Sequence, residues 1–116
     1  TMKKTIEALE SGIDAVKPGN TADDVAQAFW KILDKYGIEK KSRTGYSIGI
    51  GYPPDWGEHT LNIYKGDNTV LEPNVCFHMI AVMQFGEWGV EASEAIRVTE
   101  KGSELFCNMS KELYIK

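Results

Sequence analysis

A glutamate and a histidine in a glycine- and proline-rich segment have side chains suited to acid–base or nucleophilic chemistry. Glu58 and His59 directly follow Pro-Pro-Asp-Trp-Gly at 53–57. A carboxylate held beside aromatic rings is partly desolvated, which raises its pKa toward general acid or base use. The same carboxylate can attack an activated carbon as a nucleophile. The alternative interpretation is a solvated glutamate that accepts hydrogen bonds from nearby backbone amides.

Two further polar residues fall within apolar patterns. His78 lies in the apolar run over 75–83, where burial would lower its pKa and keep the imidazole neutral. Glu94 falls on the apolar side of an alternating segment, together with Ala92 and Ile96. A buried imidazole or carboxylate needs a partner, so both residues are candidates for the wall of a site. The alternatives are a hydrogen-bonded core histidine and a β-bulge that turns Glu94 toward solvent.

Metal and phosphate motifs are absent from the sequence. It contains no His-x-x-x-His, no pair of cysteines at ligand spacing and no Asp-x-Asp-x-Asp-Gly loop. The glycines at 45, 49 and 51 are not followed by the Lys-Ser/Thr and the helix of a phosphate loop. We therefore expect no metal and no cofactor, and we expect Cys76 and Cys107 to be reduced thiols.

Apolar residues at helical spacing predict two helices at the start of the chain. The first ends at Pro18-Gly19, and the second runs from a cap at Thr21 to Gly37. The predicted buried positions are Ile6, Leu9, Ile13 and Val16 in the first helix, and Val25, Ala28, Phe29, Ile32 and Tyr36 in the second.

Extended segments follow the helices. We predict a hairpin of 61–64 and 69–71 around a turn at 65–68, then strands over 75–83, covered on both faces, and over 90–99. The final amphipathic residues, Leu105, Phe106, Met109 and Leu113, predict a short helix. This order indicates an α+β fold, with helices on one face of a largely antiparallel sheet. We expect the site on the free face, beside the loop at 45–59.

Length and charge limit the classes of protein and of partner. With 116 residues and 42% hydrophobic side chains, the chain is sized for one domain with a modest core. The formal net charge is -4 and no basic run exceeds Lys40-Lys41, which argues against a nucleic-acid partner. The longest apolar run, over 75–83, is less than half of the roughly 20 residues that cross a bilayer. We expect a cytoplasmic protein without a membrane partner.

Four segments share a pattern with one enzyme superfamily. They are residues 16–25 (Val-Lys-Pro-Gly-Asn-Thr-Ala-Asp-Asp-Val), 43–49 (Arg-Thr-Gly-Tyr-Ser-Ile-Gly), 71–77 (Leu-Glu-Pro-Asn-Val-Cys-Phe) and 89–102, which begins Gly-Val-Glu-Ala-Ser-Glu. In this order they resemble the C-terminal half of the pita-bread catalytic domain shared by Xaa-Pro dipeptidase, aminopeptidase P, methionine aminopeptidase and creatinase. The resemblance implies half of a pita-bread fold, which requires the N-terminal half of its own domain to complete a cleft.

The resemblance also implies an organisation for the chain. Combined with the residue patterns, it gives one domain over 1–116: a helical pair at 1–38, a site-bearing loop and sheet at 43–102, and a helical tail at 103–116, which lies beyond the resemblance and is predicted from apolar spacing alone. Half of such a domain exposes apolar sheet that would otherwise be covered. We therefore expect a homo-oligomer.

The metal ligands of the superfamily have no counterparts in this chain. The resemblance places the family's histidine ligand at Tyr46 and one glutamate ligand at Ile80. It places the last glutamate ligand at Ser93 or, with a shift of one residue, at Glu94. Tyrosine and isoleucine cannot replace imidazole and carboxylate around a divalent ion, so we expect no dinuclear metal centre.

The substituted motifs resemble a metal-free branch of the superfamily that includes creatinase-like proteins and, most closely, ectoine hydrolases. That likeness implies hydrolysis of a C–N bond in a small cyclic amidine substrate. It makes Glu58 the nucleophile or general base and His78 a proton shuttle. The expected substrate-binding residues are Tyr46, Tyr52, Asp55, Trp56 and Glu94.

Two other functions compete with this reading. One is a fragment of an Xaa-Pro dipeptidase or aminopeptidase, which the missing ligands disfavour. The other is a non-catalytic binding module, because pita-bread domains can lose activity and keep a binding cleft.

Overall fold

The structure is a computed structural model that describes residues 2–49 and 57–112, without the side chains of residues 58 and 59. Within these residues two α-helices precede five β-strands. The elements are α1 (Met2–Asp14), α2 (Ala22–Lys35), β1 (Gly45–Ile48), β2 (Gly57–Asn62), β3 (Cys76–Phe85), β4 (Trp88–Val98) and β5 (Ser103–Leu105). Neither helix has the length and apolar character that crossing a bilayer requires.

The described strands form one antiparallel sheet in the order β2-β1-β3-β4-β5. The central hairpin of β3 and β4 pairs continuously from Cys76 opposite Arg97 to Phe85 opposite Trp88. α1 packs against both of these strands, and α2 packs against α1. This arrangement confirms the predicted α+β fold with helices on one face of the sheet.

Local chemistry explains where α2 begins and ends. The Thr21 hydroxyl accepts a hydrogen bond from the Asp24 nitrogen (3.2 Å), and the Asp24 carboxylate accepts one from the Thr21 nitrogen (2.8 Å). This capping box satisfies two backbone donors at the helix start, and it confirms the predicted cap. Gly37 follows the helix with a φ of 66°, a conformation that favours glycine and stops the helix.

The buried helix faces differ in part from those predicted. In α1 the buried residues are Thr5, Ala8, Leu9 and Gly12. In α2 they are Ala22, Val25, Ala26, Phe29, Trp30 and Leu33. Ile6, Ile13, Ala28, Ile32 and Tyr36 are only partly buried. Gly12, in the last turn of α1, lies where the helix approaches β3 closely: a Cβ built on it would lie 2.1 Å from Met79 Cε.

The predicted hairpin of 61–64 and 69–71 is wrong, because these segments do not pair with each other. The Asp67 carboxylate accepts hydrogen bonds from the Thr69 nitrogen (3.0 Å) and the Thr69 hydroxyl (2.6 Å), which turns the chain locally. After the turn, Val70 pairs with Thr21, just before α2. The Leu71 nitrogen donates a hydrogen bond to the Asn20 backbone oxygen (2.7 Å). Leu71 becomes fully buried there, so its burial against the helices decides the path.

The predicted C-terminal helix is wrong for the described residues up to 112. Leu105 instead lies in β5, opposite Ile96 of β4. The preceding turn is closed by the Thr99 hydroxyl, which accepts a hydrogen bond from the Gly102 nitrogen (3.0 Å). Phe106 and Met109 are 57% and 60% exposed, so the helical spacing of these apolar residues does not correspond to a buried helix face.

Candidate functional site

The sheet has a helix-covered face and a second face, called here the open face. Strand alternation places Phe77, Met79, Ala81 and Met83 of β3 against the helices, and all four are buried. The open face carries the alternate residues, which are only partly buried in β1 and β3. Its members include Tyr46, Asn62, Cys76, His78, Ile80, Val82, Ser93 and Arg97. The prediction that β3 is covered on both faces is therefore wrong for the described chain, which contains no second layer.

Tyr46 and His78 form the central pair of the open face. They are direct cross-strand partners in β1 and β3. The Tyr46 hydroxyl oxygen lies 2.9 Å from His78 Nδ1, and the two rings meet edge to face with centroids 5.4 Å apart. This hydrogen bond holds one imidazole nitrogen, and in the described part of the chain no hydrogen bond involves the other, Nε2.

Burial sets the protonation state of His78. Desolvation of the half-buried ring lowers the pKa of His78, and it outweighs the negative charge of Glu91, which acts to raise it. The imidazole is therefore neutral at neutral pH. A neutral imidazole anchored at Nδ1 can accept or deliver a proton at Nε2, as a proton shuttle requires.

Arg43 and Asn62 complete a group of four contacting side chains. The Arg43 guanidinium lies over the Tyr46 ring, 5.0 Å from its centroid, as a cation–π contact. The same guanidinium donates a hydrogen bond to the Asn62 side-chain oxygen, and Asn62 is the partner of Tyr46 in β2. One face of the Tyr46 ring is thus occupied by a cation of the protein itself.

The close approach of β1 to β3 depends on small residues. A Cβ built on Gly45 would lie 2.8 Å from the Ile63 side chain and 3.0 Å from the His78 backbone oxygen. Thr44, which is fully buried, donates its hydroxyl to the Ile80 oxygen at 2.7 Å. These two residues therefore place Tyr46 beside His78, and a larger residue at 45 would separate the strands.

The three positions matched to metal ligands lie together on the open face. Ile80 and Ser93 are direct partners in β3 and β4, and Tyr46 lies beside β3 on the same face. A phenol already bonded to His78, an aliphatic side chain and a hydroxyl do not form a ligand set for a divalent ion, so these residues do not fit the family's metal centre. In the ranges 2–49 and 57–112, no three His, Cys, Asp or Glu side chains converge as metal ligands.

Glu94 is not part of this group, which corrects its predicted place as a substrate-binding residue. The unbroken register of β3 and β4 assigns the open face to Ser93 and the helix-covered face to Glu94. The Glu94 side chain is 5% exposed and lies 3.7 Å from the Lys111 ammonium. The alternative of a bulge that turns Glu94 to solvent is also wrong, because the pairing contains none.

The other predicted site residues lie within or next to residues 50–56, which are outside the described residues. Tyr52, Asp55 and Trp56 lie outside the described residues, and of Glu58 only the backbone in β2 is described. Sequence reasoning missed Arg43 and Asn62 as members of the site. A signal existed for Arg43, since it is a cation three residues before Tyr46 in one of the matched segments. Asn62 carried none.

Several known proteins are similar to this chain in sequence or in fold. The chain is 41% identical over 112 residues to the ectoine hydrolase of Halomonas elongata, covering 96% of this chain and 28% of that protein. The crystal structure of the dipeptidase PepE from Mycobacterium ulcerans superposes with a TM-score of 0.87 at 29% identity, over 97% of this chain and 30% of that one. The prolidase from Pyrococcus horikoshii shares the fold, with a TM-score of 0.87 at 22% identity over 97% of this chain and 32% of that one.

The matched lengths show how much of such a protein is present. The chain spans less than a third of the length of these relatives. Its helices and sheet have the fold of the corresponding part of pita-bread peptidases, as the resemblance predicted. The model of metallopeptidase family M24 matches residues 1–100. With this match over most of its length, the chain belongs to metallopeptidase family M24, a family of hydrolases.

Proposed function

We propose that this chain is part of the catalytic domain of a metal-independent hydrolase that opens a small cyclic amidine at a C–N bond, with ectoine as the candidate substrate. The observation that carries the proposal is the hydrogen-bonded pair of Tyr46 and His78, which stands where the family places a metal-binding histidine. The 41% identity to an ectoine hydrolase supports the same substrate class.

The proposed reaction adds water to the amidine carbon and breaks one of its C–N bonds. Glu58 is the proposed nucleophile or general base, and neutral His78 is the proposed group that carries the proton to the leaving nitrogen at Nε2. Tyr46 holds the imidazole in one orientation. In this scheme carboxylate and imidazole supply the activation of water that a metal ion supplies elsewhere.

Arg43 restricts how the proposed substrate can bind beside Tyr46. Because its guanidinium covers one face of Tyr46, that face cannot stack on a cationic amidinium. The positive charge instead suits an anionic substituent, such as a carboxylate on the amidine ring. The proposed substrate is therefore a zwitterionic ring, with its carboxylate toward Arg43 and its amidine carbon toward His78.

The test is a substrate comparison with the complete protein that carries this chain. Ectoine turnover that persists with excess chelator is the expected result. A dipeptide ending in proline, assayed with added manganese, should not be cleaved. Peptide cleavage that depends on manganese would establish the peptidase alternative, and failure on both substrates with retained ligand binding would establish the binding module.

Two features of the complete protein belong to the same proposal. The open face gains its opposite wall from the rest of the catalytic domain, so this chain alone should be inactive. The complete protein should form a homo-oligomer, which light scattering measures directly.

A further inference from the structure

A cavity lies at the edge of the open face, away from Tyr46. Its volume is about 350 Å³, and it lies between the segment 39–42 and the outer part of β3. The lining residues are Glu39, Lys40, Lys41, Ser42, Val82 and Gln84. No step of the proposed reaction uses this cavity.

Lys40 lines this cavity, and its ammonium has no carboxylate partner within the described ranges. Its side chain is half-buried, and its ammonium donates a hydrogen bond to the Ser42 hydroxyl at 2.5 Å. Among the described residues no carboxylate lies within 4.0 Å of the Lys40 ammonium, and neighbouring Glu39 pairs with Lys41 instead, at 3.8 Å. Burial without a counter-charge lowers the pKa of Lys40, so its neutral amine is more populated than that of an ordinary lysine.

The backbone at Lys40 is anchored to the core. Its carbonyl oxygen accepts a hydrogen bond from Trp30 Nε1 at 3.1 Å, and Trp30 is 6% exposed. This contact anchors the Lys40 backbone beside the cavity, and the hydrogen bond to Ser42 places the amine at the cavity wall. The cavity has room for a small acyl group beside the amine.

We propose that Lys40 is a site of covalent acylation by small acyl donors of the acyl phosphate class. In this step the lone pair of the neutral Lys40 Nζ attacks the acyl carbon, and the bond from that carbon to the phosphate oxygen breaks. Phosphate leaves with the electron pair, and the nitrogen gives one proton to water. The product is an uncharged amide, which removes the cost of holding a charge in the cavity.

Lys41 is a matched internal control for this proposal. It is the next residue, its side chain is 87% exposed, and it pairs with Glu39. Exposure alone favours reaction at Lys41, whereas the population of neutral amine favours Lys40. A rate at Lys40 above that at Lys41 therefore indicates control by the population of neutral amine, and the reverse indicates control by exposure.

The experiment treats the complete protein with acetyl phosphate at neutral pH and follows both lysines by peptide mass spectrometry. We expect acetylation of Lys40 to exceed that of Lys41 by about threefold or more, because the neutral fraction rises tenfold for each unit by which a pKa falls. In urea the ratio should return to about 1, since the cavity is lost. Equal rates in the folded protein, or a ratio that survives denaturation, would overturn the proposal.

A near-isosteric variant tests the electrostatic cause. Gln84→Glu adds a carboxylate at an exposed position of the cavity wall, which leaves the core unchanged. The added charge should raise the pKa of Lys40 and slow its acetylation, with a smaller change at Lys41, whose side chain is 87% exposed and screened by solvent. An unchanged Lys40 rate in this variant would contradict the proposed origin of its reactivity.

Discussion

The two faces of β3 carry different tasks on one backbone. Toward the helices, four apolar side chains are at most 2% exposed and belong to the core. Toward the open side, the alternate residues are partly buried and include His78, which is paired with Tyr46. One face therefore stabilises the fold through apolar burial, and the other presents polar groups at a surface.

β4 is divided between two faces in the same way. The role of each of its side chains depends more on which face it lies on than on its residue type. Ser93 and Glu94 are neighbours in sequence. The carboxylate, which is the more reactive group, lies inside and is paired with Lys111, whereas the serine occupies the open face opposite Ile80. A shift of one residue in register would exchange the two.

The largest expected effect comes from the helix-covered face. Phe77→Ala removes a fully buried ring and should lower the free energy of unfolding by about 3–5 kcal/mol. The next residue along the strand gives the control, since His78→Gln should cost about 1 kcal/mol or less. Chemical denaturation of the complete protein measures both. Similar losses of unfolding free energy at the two positions would contradict the claim that the helix-covered face stabilises the fold more than the open face.

The order of the effects at positions 77 and 78 should reverse when activity is measured: the change at 78 should have the larger effect. His78→Gln should lower kcat for ectoine about 100-fold or more, because it removes the proposed proton carrier. A conservative core change, Phe77→Leu, should keep most of the activity at a temperature where the protein stays folded. Full turnover in His78→Gln would remove His78 from the mechanism.

In β4 the two faces can be compared at adjacent residues, Ser93 on the open face and Glu94 on the helix-covered face. Glu94→Ala leaves Lys111, which is largely buried, without this partner and should destabilise the protein by about 1–3 kcal/mol. Ser93→Ala should change stability by about 0.5 kcal/mol or less. Thermal unfolding of the two variants side by side gives the answer. A larger loss for Ser93→Ala would mean that the register is shifted.

The smallest expected effect is a dependence of stability on pH that arises at His78. Because burial holds the folded pKa of His78 below its ordinary value of 6.5, the unfolded chain binds the proton at a higher pH than the folded chain. Stability from this source is complete above pH 6.5 and falls as the pH drops toward the folded pKa.

His78→Gln provides the reference for that measurement. Denaturation midpoints of the wild type should fall relative to the variant between pH 6.5 and the folded pKa. Parallel curves over this range would show that the pKa of His78 is not lowered in the folded protein.

Local signals in the sequence predicted several elements correctly. The cap at Thr21 and the stop at Gly37 depend on residues close in sequence, and both are observed. Alternation also placed Glu94 with the apolar residues of β4. The predictions that failed concern competition between distant partners: Leu71 is buried against the helices instead of pairing in a hairpin, and Leu105 pairs with β4 instead of forming a helix.

The amino-acid sequence alone determined the two helices, the two-residue period of the strands, the apolar side of β4 on which Glu94 falls, and the residue types at the positions that the resemblance matches to metal ligands. Those properties depend on near neighbours and on residue identity. Only the tertiary structure decided that Tyr46 is hydrogen-bonded to His78, 32 residues away, that Arg43 covers the Tyr46 ring, and that Glu94 pairs with Lys111. The physical reason is that a period of two shows which residues share a face, but strand order and register decide which strands are neighbours.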